Sequence, residues 1–124
     1  MLFRNNLYFI DAVQRTEDGA VYTLRLNPDH VIYKAHFPGE PITPGVCILQ
    51  IGQELLSDAV EAPLEMDGAK NVKFLSVLRP DGTPVTVQVR KIETESETVK
   101  AQIEFKSVDT PVAKISLSCR KTAR

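Results

Sequence analysis

His36-Phe37-Pro38-Gly39-Glu40-Pro41-Ile42-Thr43-Pro44-Gly45-Val46 is the stretch on which the reading of this chain turns. Pro38-Gly39 reads as a tight turn, since proline presets φ at the first central position and glycine accepts the positive φ that a type II turn needs at the second. Pro41 and Pro44 keep the following chain extended and forbid a helix before Thr43. Thr43 then suits an N-cap and Pro44 the first helical position, with Gly45 next and no side chain to shield its N–H. Free N–H groups at such a helix start attract an anion or a developing oxyanion. A histidine nine positions upstream, across a stiff turn, can reach the same spot.

The helix expected from Pro44 to Val60 is about 25 Å long at 1.5 Å per residue. Val46, Cys47, Ile48, Leu49, Ile51, Leu55, Leu56 and Ala59 spread around most of its circumference, a pattern that calls for burial on nearly all sides. Gln50, Gln53, Glu54, Ser57 and Asp58 interrupt it as one polar stripe. Gln50 is the deepest polar group in the apolar half, whereas Glu54 and Asp58 are expected in the wetter half, solvated or facing a partner. Pro63 sets the latest point at which the helix can end.

Outward from this helix, the chain reads as antiparallel β-structure. Leu7–Arg15 and Ala20–Asn27 flank the turn signal Glu17-Asp18-Gly19 and form a hairpin. After the helix, Pro63–Gly68 reads as a polar connection and Asn71–Arg79 as a third strand ended by Pro80-Asp81-Gly82. Val85–Arg90, Val99–Lys106 and Ala113–Cys119 alternate apolar and polar residues. They make a meander with one wet face, Lys91–Thr98 forming a charged tip. One buried helix and about six strands are most economically combined by wrapping the sheet around the helix, a single α+β domain over 1–124.

Composition narrows the function. At 124 residues and 43% apolar content, the chain buries about two thirds of its unfolded surface. A formal net charge of −1 gives no nucleic-acid footprint. No leader or membrane span is read in Met1–Ile10. Cys47 and Cys119 fit no metal or redox spacing and read as reduced, buried thiols of a cytoplasmic protein. His30 reads as a surface residue, and Arg79, Arg90, Lys91, Arg120, Lys121 and Arg124 as a scattered, solvated basic set.

His36-Phe37-Pro38-Gly39, Pro41 and Pro44-Gly45-Val46 resemble the active-site signature of the β-hydroxyacyl-[acyl carrier protein] dehydratases. Asn71-Val72-Lys73-Phe74 followed by Arg79-Pro80 is similar to the strand after the helix in that family. The resemblance implies a hot-dog fold, a homodimer or trimer of dimers, an acyl thioester linked to acyl carrier protein or CoA, and a place in fatty acid or related acyl-chain synthesis. It implies no cofactor and no metal. His36 matches the histidine that removes the C2 proton of a 3-hydroxyacyl thioester, and Gly45 the glycine whose N–H polarises the thioester carbonyl. Phe37, Pro38, Gly39, Pro44, Val46 and Glu54 are the expected substrate contacts. In this family the substrate tunnel lies between one subunit's histidine loop and the other's helix.

The chain departs from the pattern at Gln50, where the family carries a helix glutamate or aspartate. An amide can hold a hydroxyl but has no proton to give near neutral pH. Three readings follow: His36 serves as both base and acid, Glu54 replaces the missing carboxyl, or dehydration is given up while the acyl pocket stays. The last makes the chain a non-catalytic acyl-binding or partner subunit. A thioesterase on the same fold is the remaining alternative.

Overall fold

The computed structural model describes residues 2–35, 37 and 39–122. Its elements are β1 (Tyr8–Thr16), β2 (Gly19–Leu26), α1 (Ile32–Ala35), α2 (Gly45–Val60), β3 (Leu64–Phe74), β4 (Val85–Glu95), β5 (Thr98–Ser107) and β6 (Thr110–Lys121). All strand pairs are antiparallel, in the order β1-β2-β4-β5-β6-β3. The predicted hairpin and meander are both present. Alternation works as expected: Val85, Val87 and Val89 of β4, Val99, Ile103 and Phe105 of β5, and Ile115, Leu117 and Cys119 of β6 are all buried.

The helix α2 packs on the inner face of this sheet, touching β2, β3, β4 and β6. Cys47, Ile48, Ile51, Leu55 and Leu56 are buried there, each larger aliphatic contributing about 1.5–3 kcal/mol. Gly52 faces the sheet, where a Cβ on it would meet Ile103 Cδ1 at 3.4 Å and Leu117 Cδ1 at 3.6 Å in ordinary contact. The helix ends where Pro63 requires, with Glu61 in the left-handed conformation at φ 56° and its N–H turned back to Asp58 and Ser57 carbonyls.

Several expectations are corrected. Pro63–Gly68 is not a connection: β3 begins at Leu64 and pairs with β6 from Lys121 inward. The strand expected over Asn71–Arg79 stops at Phe74, and Asn71, at φ 51°, lies in an irregularity of β3. Bulges of this kind break the two-residue period on which the sequence reading relied. Likewise β4 runs on to Glu95, past an irregularity between Arg90 and Glu93, so the charged tip is only Ser96-Glu97. His30 is half-buried: its Nδ1 accepts the Ile32 N–H at 3.0 Å and its ring meets Phe3 edge-on. Both cysteines are free and buried. Among the described residues, no helix is long and apolar enough to cross a membrane.

Candidate active site

The helix start forms differently from the local prediction. Thr43 does not cap it. Its hydroxyl pairs with the buried Tyr33 hydroxyl at 2.8 Å and its N–H donates to the Leu78 carbonyl at 2.8 Å, so tertiary partners have taken it. Pro44, extended at φ −63° and ψ 149°, is the N-cap, and no side chain caps the helix. The first intrahelical donors are the N–H groups of Cys47 and Ile48, both to the Pro44 carbonyl. Those of Gly45 and Val46 precede any carbonyl one turn back, the chemistry an oxyanion needs.

Glycine at 45 has a steric reason. A Cβ there would lie 2.9 Å from Cζ of Phe74, whose ring covers the helix start. Ahead of it, Phe37 and Glu40 exchange backbone hydrogen bonds of 3.3 and 2.9 Å across a turn, and Gly39 has the φ of +82° that only glycine accepts easily. His36 and Pro38, both expected at the site, lie outside the described residues.

An open depression of about 290 Å³ runs along the first turns of α2, lined by Phe3, Val46, Cys47 and Gln50. Val46 is 72% exposed and Phe37 55%, so the site's apolar rim is turned outward. Burial pushes the Cys47 thiol up from its ordinary range, which disfavours the nucleophilic thiolate.

Behind Gln50 lies a carboxylate expected in the wetter half of the stripe, solvated or facing a partner. Glu54 is only 6% exposed. Its Oε2 accepts the Phe3 N–H at 2.7 Å and Gln50 Nε2 at 2.8 Å. Its Oε1 accepts the Arg4 N–H at 2.9 Å and the Tyr8 hydroxyl at 2.9 Å. Burial, with Glu54 alongside, holds the Tyr8 hydroxyl far above its ordinary range, so it stays a donor. The N-terminal residues thus fold over the polar stripe at Glu54 and bury that carboxylate. Phe3, Arg4 and Tyr8 stand some fifty positions from Glu54, and no local pattern signals such a contact.

Asp58, the next residue of the stripe, is half-buried and takes the Tyr22 hydroxyl at 2.7 Å and Arg4 Nη1 at 3.0 Å, with Arg15 at 3.8 Å. Burial opposes its charge, but these bonds and cations prevail and hold its carboxyl below the usual range. Of the predicted residues, the structure therefore brings Val46 and Gln50 together at the depression beside Pro44 and Gly45. Glu54 is set behind Gln50, outside the depression's lining.

Comparison with known proteins accords with this architecture. Residues 12–116 match the family model described as ApeI-like, ApeI dehydratase. The 3-hydroxyacyl-[acyl-carrier-protein] dehydratase FabZ of Thermotoga neapolitana is 31% identical over 110 residues, covering 85% of this chain and 79% of that protein. The enzyme of the same name from Latilactobacillus sakei is 30% identical over 103 residues, covering 73% of this chain and 71% of that one. Among solved structures, the dehydratase heterocomplex ApeI:P from Xenorhabdus doucetiae superimposes with a TM-score of 0.73 at 16% identity, over 91% of this chain and 97% of that one. A hypothetical thioesterase from Streptococcus pneumoniae with coenzyme A gives 0.66 at 11% identity, over 94% and 87%. At such identities these two likenesses speak for the hot-dog fold alone. The extent of the family match and the identity to the FabZ relatives carry the assignment further: the chain belongs to the ApeI-like family of hot-dog dehydratases.

Proposed function

We propose that the chain converts a 3-hydroxyacyl thioester, held on an acyl carrier protein, into the trans-2-enoyl thioester and water. The observation that carries this reading is the uncapped start of α2 at Gly45, with Gln50 lining the depression that begins there. In this mechanism His36 removes the C2 proton, and the Gly45 N–H stabilises the negative charge gathering on the thioester oxygen. The C3–O bond then breaks, and the imidazolium of His36 returns the proton to the leaving hydroxyl, which departs as water. Gln50 holds that hydroxyl but gives it no proton. Phe37, Gly39, Pro44 and Val46 are the surrounding contacts.

A second copy of the chain suits the exposed edge. β3 is an edge strand of eleven residues, and Val72, Phe74, Leu75 and Val77 are exposed on and just beyond it. Long apolar edges invite strand pairing. A homodimer joined there would cover the outward-turned rim of the site, and dilution to monomers would abolish turnover.

An acidic carrier has a complementary face. Two adjoining depressions on the solvent side of β3, β6, β5 and β4 share Gln102 and Ser116. They are ringed by Lys70, Lys73, Arg90, Lys91, Lys100 and Lys114 against only Glu93 and Glu104. Arg90 and Lys91, scattered in sequence terms, are gathered here with four lysines.

The test is hydration of a short trans-2-enoyl thioester, followed by loss of the conjugated absorbance. Turnover by the wild type and its loss in His36→Ala are expected. An inert wild type would instead favour the reading as a partner subunit, for which Gln50 in place of a carboxylate is the specific observation.

A further inference from the structure

We infer that Glu54 is a positioning residue that fixes the orientation of the Gln50 amide, so that Gln50 meets the substrate as a hydrogen-bond acceptor. This rests on the dehydratase reading for its substrate, but the orientation follows from the side chains alone. An ionised carboxylate offers acceptors only, so the atom of Gln50 that lies 2.8 Å from Glu54 Oε2 must be Nε2. The end of the amide turned from Glu54 is therefore Oε1. The two residues stand four apart on one face of a regular helix, and the bond is charge-assisted at a buried carboxylate.

Glu54 itself does not wander. The Phe3 N–H shares Oε2 with Gln50, and the Arg4 N–H and the Tyr8 hydroxyl hold Oε1. With two donors on each oxygen and 6% exposure, it is not placed to reach a substrate as a substitute acid. It acts through Gln50. A 3-hydroxyl meeting Oε1 would donate its own hydrogen and keep its lone pairs free for a proton delivered from elsewhere. The Gln50 substitution is then a change of task, from giving a proton to aiming a hydroxyl.

The experiment combines side-chain amide NMR with kinetics on the full chain. In the wild type, one proton of the Gln50 amide, assigned by its absence in Gln50→Met, should sit downfield and exchange with water at least about tenfold more slowly than its geminal partner. Glu54→Ala should abolish that difference. It should also lower kcat for enoyl thioester hydration by roughly 10- to 100-fold, as expected for a misaimed group, with KM changed less than about twofold. Tyr8→Phe, which removes a donor from Oε1 only, should keep the shifted amide signal. Two equivalent, fast-exchanging protons in the wild type would overturn the inference even if Glu54→Ala fails to fold, and so would a shifted signal that survives Glu54→Ala. A wild type with the protected amide but no hydration activity would refute the proposed function and leave the orientation standing.

Discussion

Gln50→Glu sets an acceptor against an acceptor. Gln50 Nε2 now donates to Glu54 Oε2 across 2.8 Å. In the variant, two carboxylates would face each other with charge centres about 4 Å apart, repelling by about 4 kcal/mol at an effective dielectric of about 20. That is about three powers of ten in proton affinity, enough to lift the introduced carboxyl from about 4.3 to about 7. The pair then titrates as a unit, one proton shared between the two groups at lower pH. Since the folded-state value is raised, the folded variant binds more protons than the unfolded chain between about pH 4.3 and 7. Its stability relative to the wild type must therefore fall as pH rises through that window and level off above it. Urea unfolding of both proteins at pH 4.5 and pH 8 measures this, and the gap between them should widen by about 4 kcal/mol at the higher pH. Parallel curves would refute the placement of Gln50 against Glu54. Catalysis should follow the same proton: near pH 6 the variant carries a general acid for the departing hydroxyl and should dehydrate a 3-hydroxyacyl thioester up to about a hundredfold faster than the wild type. That advantage should fade above about pH 7.

Other substitutions test the frame around the site. Gly19→Ala would place a Cβ 1.8 Å from the Val89 carbonyl oxygen, backbone that cannot move aside, and should cost about 3 kcal/mol or more in denaturant unfolding. Gly52→Ala, whose nearest neighbour is the flexible end of Ile103 at 3.4 Å, should instead stabilise α2 by up to about 1 kcal/mol. Asp58 has a depressed folded-state pKa, so its contribution is present above the ordinary carboxylate range and is lost as pH falls through and below it. Asp58→Asn should flatten the acid limb of stability against pH. Lys70→Glu combined with Lys100→Glu should raise KM for a carrier-linked thioester about tenfold while leaving KM for a pantetheine-linked one unchanged. Equal effects on both substrates would remove the basic face from carrier docking.

Where side chains obey a short period, the elements are legible in the residues themselves. The valines of β4 and the alternation of β5 and β6 announce the meander, and Pro63 announces the end of α2. Turn chemistry is equally readable at Gly39, whose φ of +82° is what a proline-glycine turn requires. Errors cluster where the period slips. The irregularities near Asn71 and Lys91 shift strand ends by several residues, because an extra residue in a strand leaves no compositional trace. Thr43 misleads for another reason: its hydroxyl finds Tyr33, a partner no local rule weighs against the cap. Of the residues that the family resemblance marks, Val46 and Gln50 line one depression, while His36 and Pro38 lie outside the described residues.

The amino-acid sequence by itself determined the α+β class, the one long helix with its bare start at Gly45, and the motif that led to the dehydratase family. These depend on neighbours within a few positions, where backbone preference and periodicity act. Tertiary structure alone decided the state of the polar stripe. Glu54 looked solvated because a helix face has no knowledge of what will cover it. The covering came from Phe3, Arg4 and Tyr8, whose donors turned an apparent surface carboxylate into the buried group that aims Gln50. Hydrogen bonds across fifty residues form only once the hydrophobic core has brought the segments together, and so the chain's most specific feature became visible only in three dimensions.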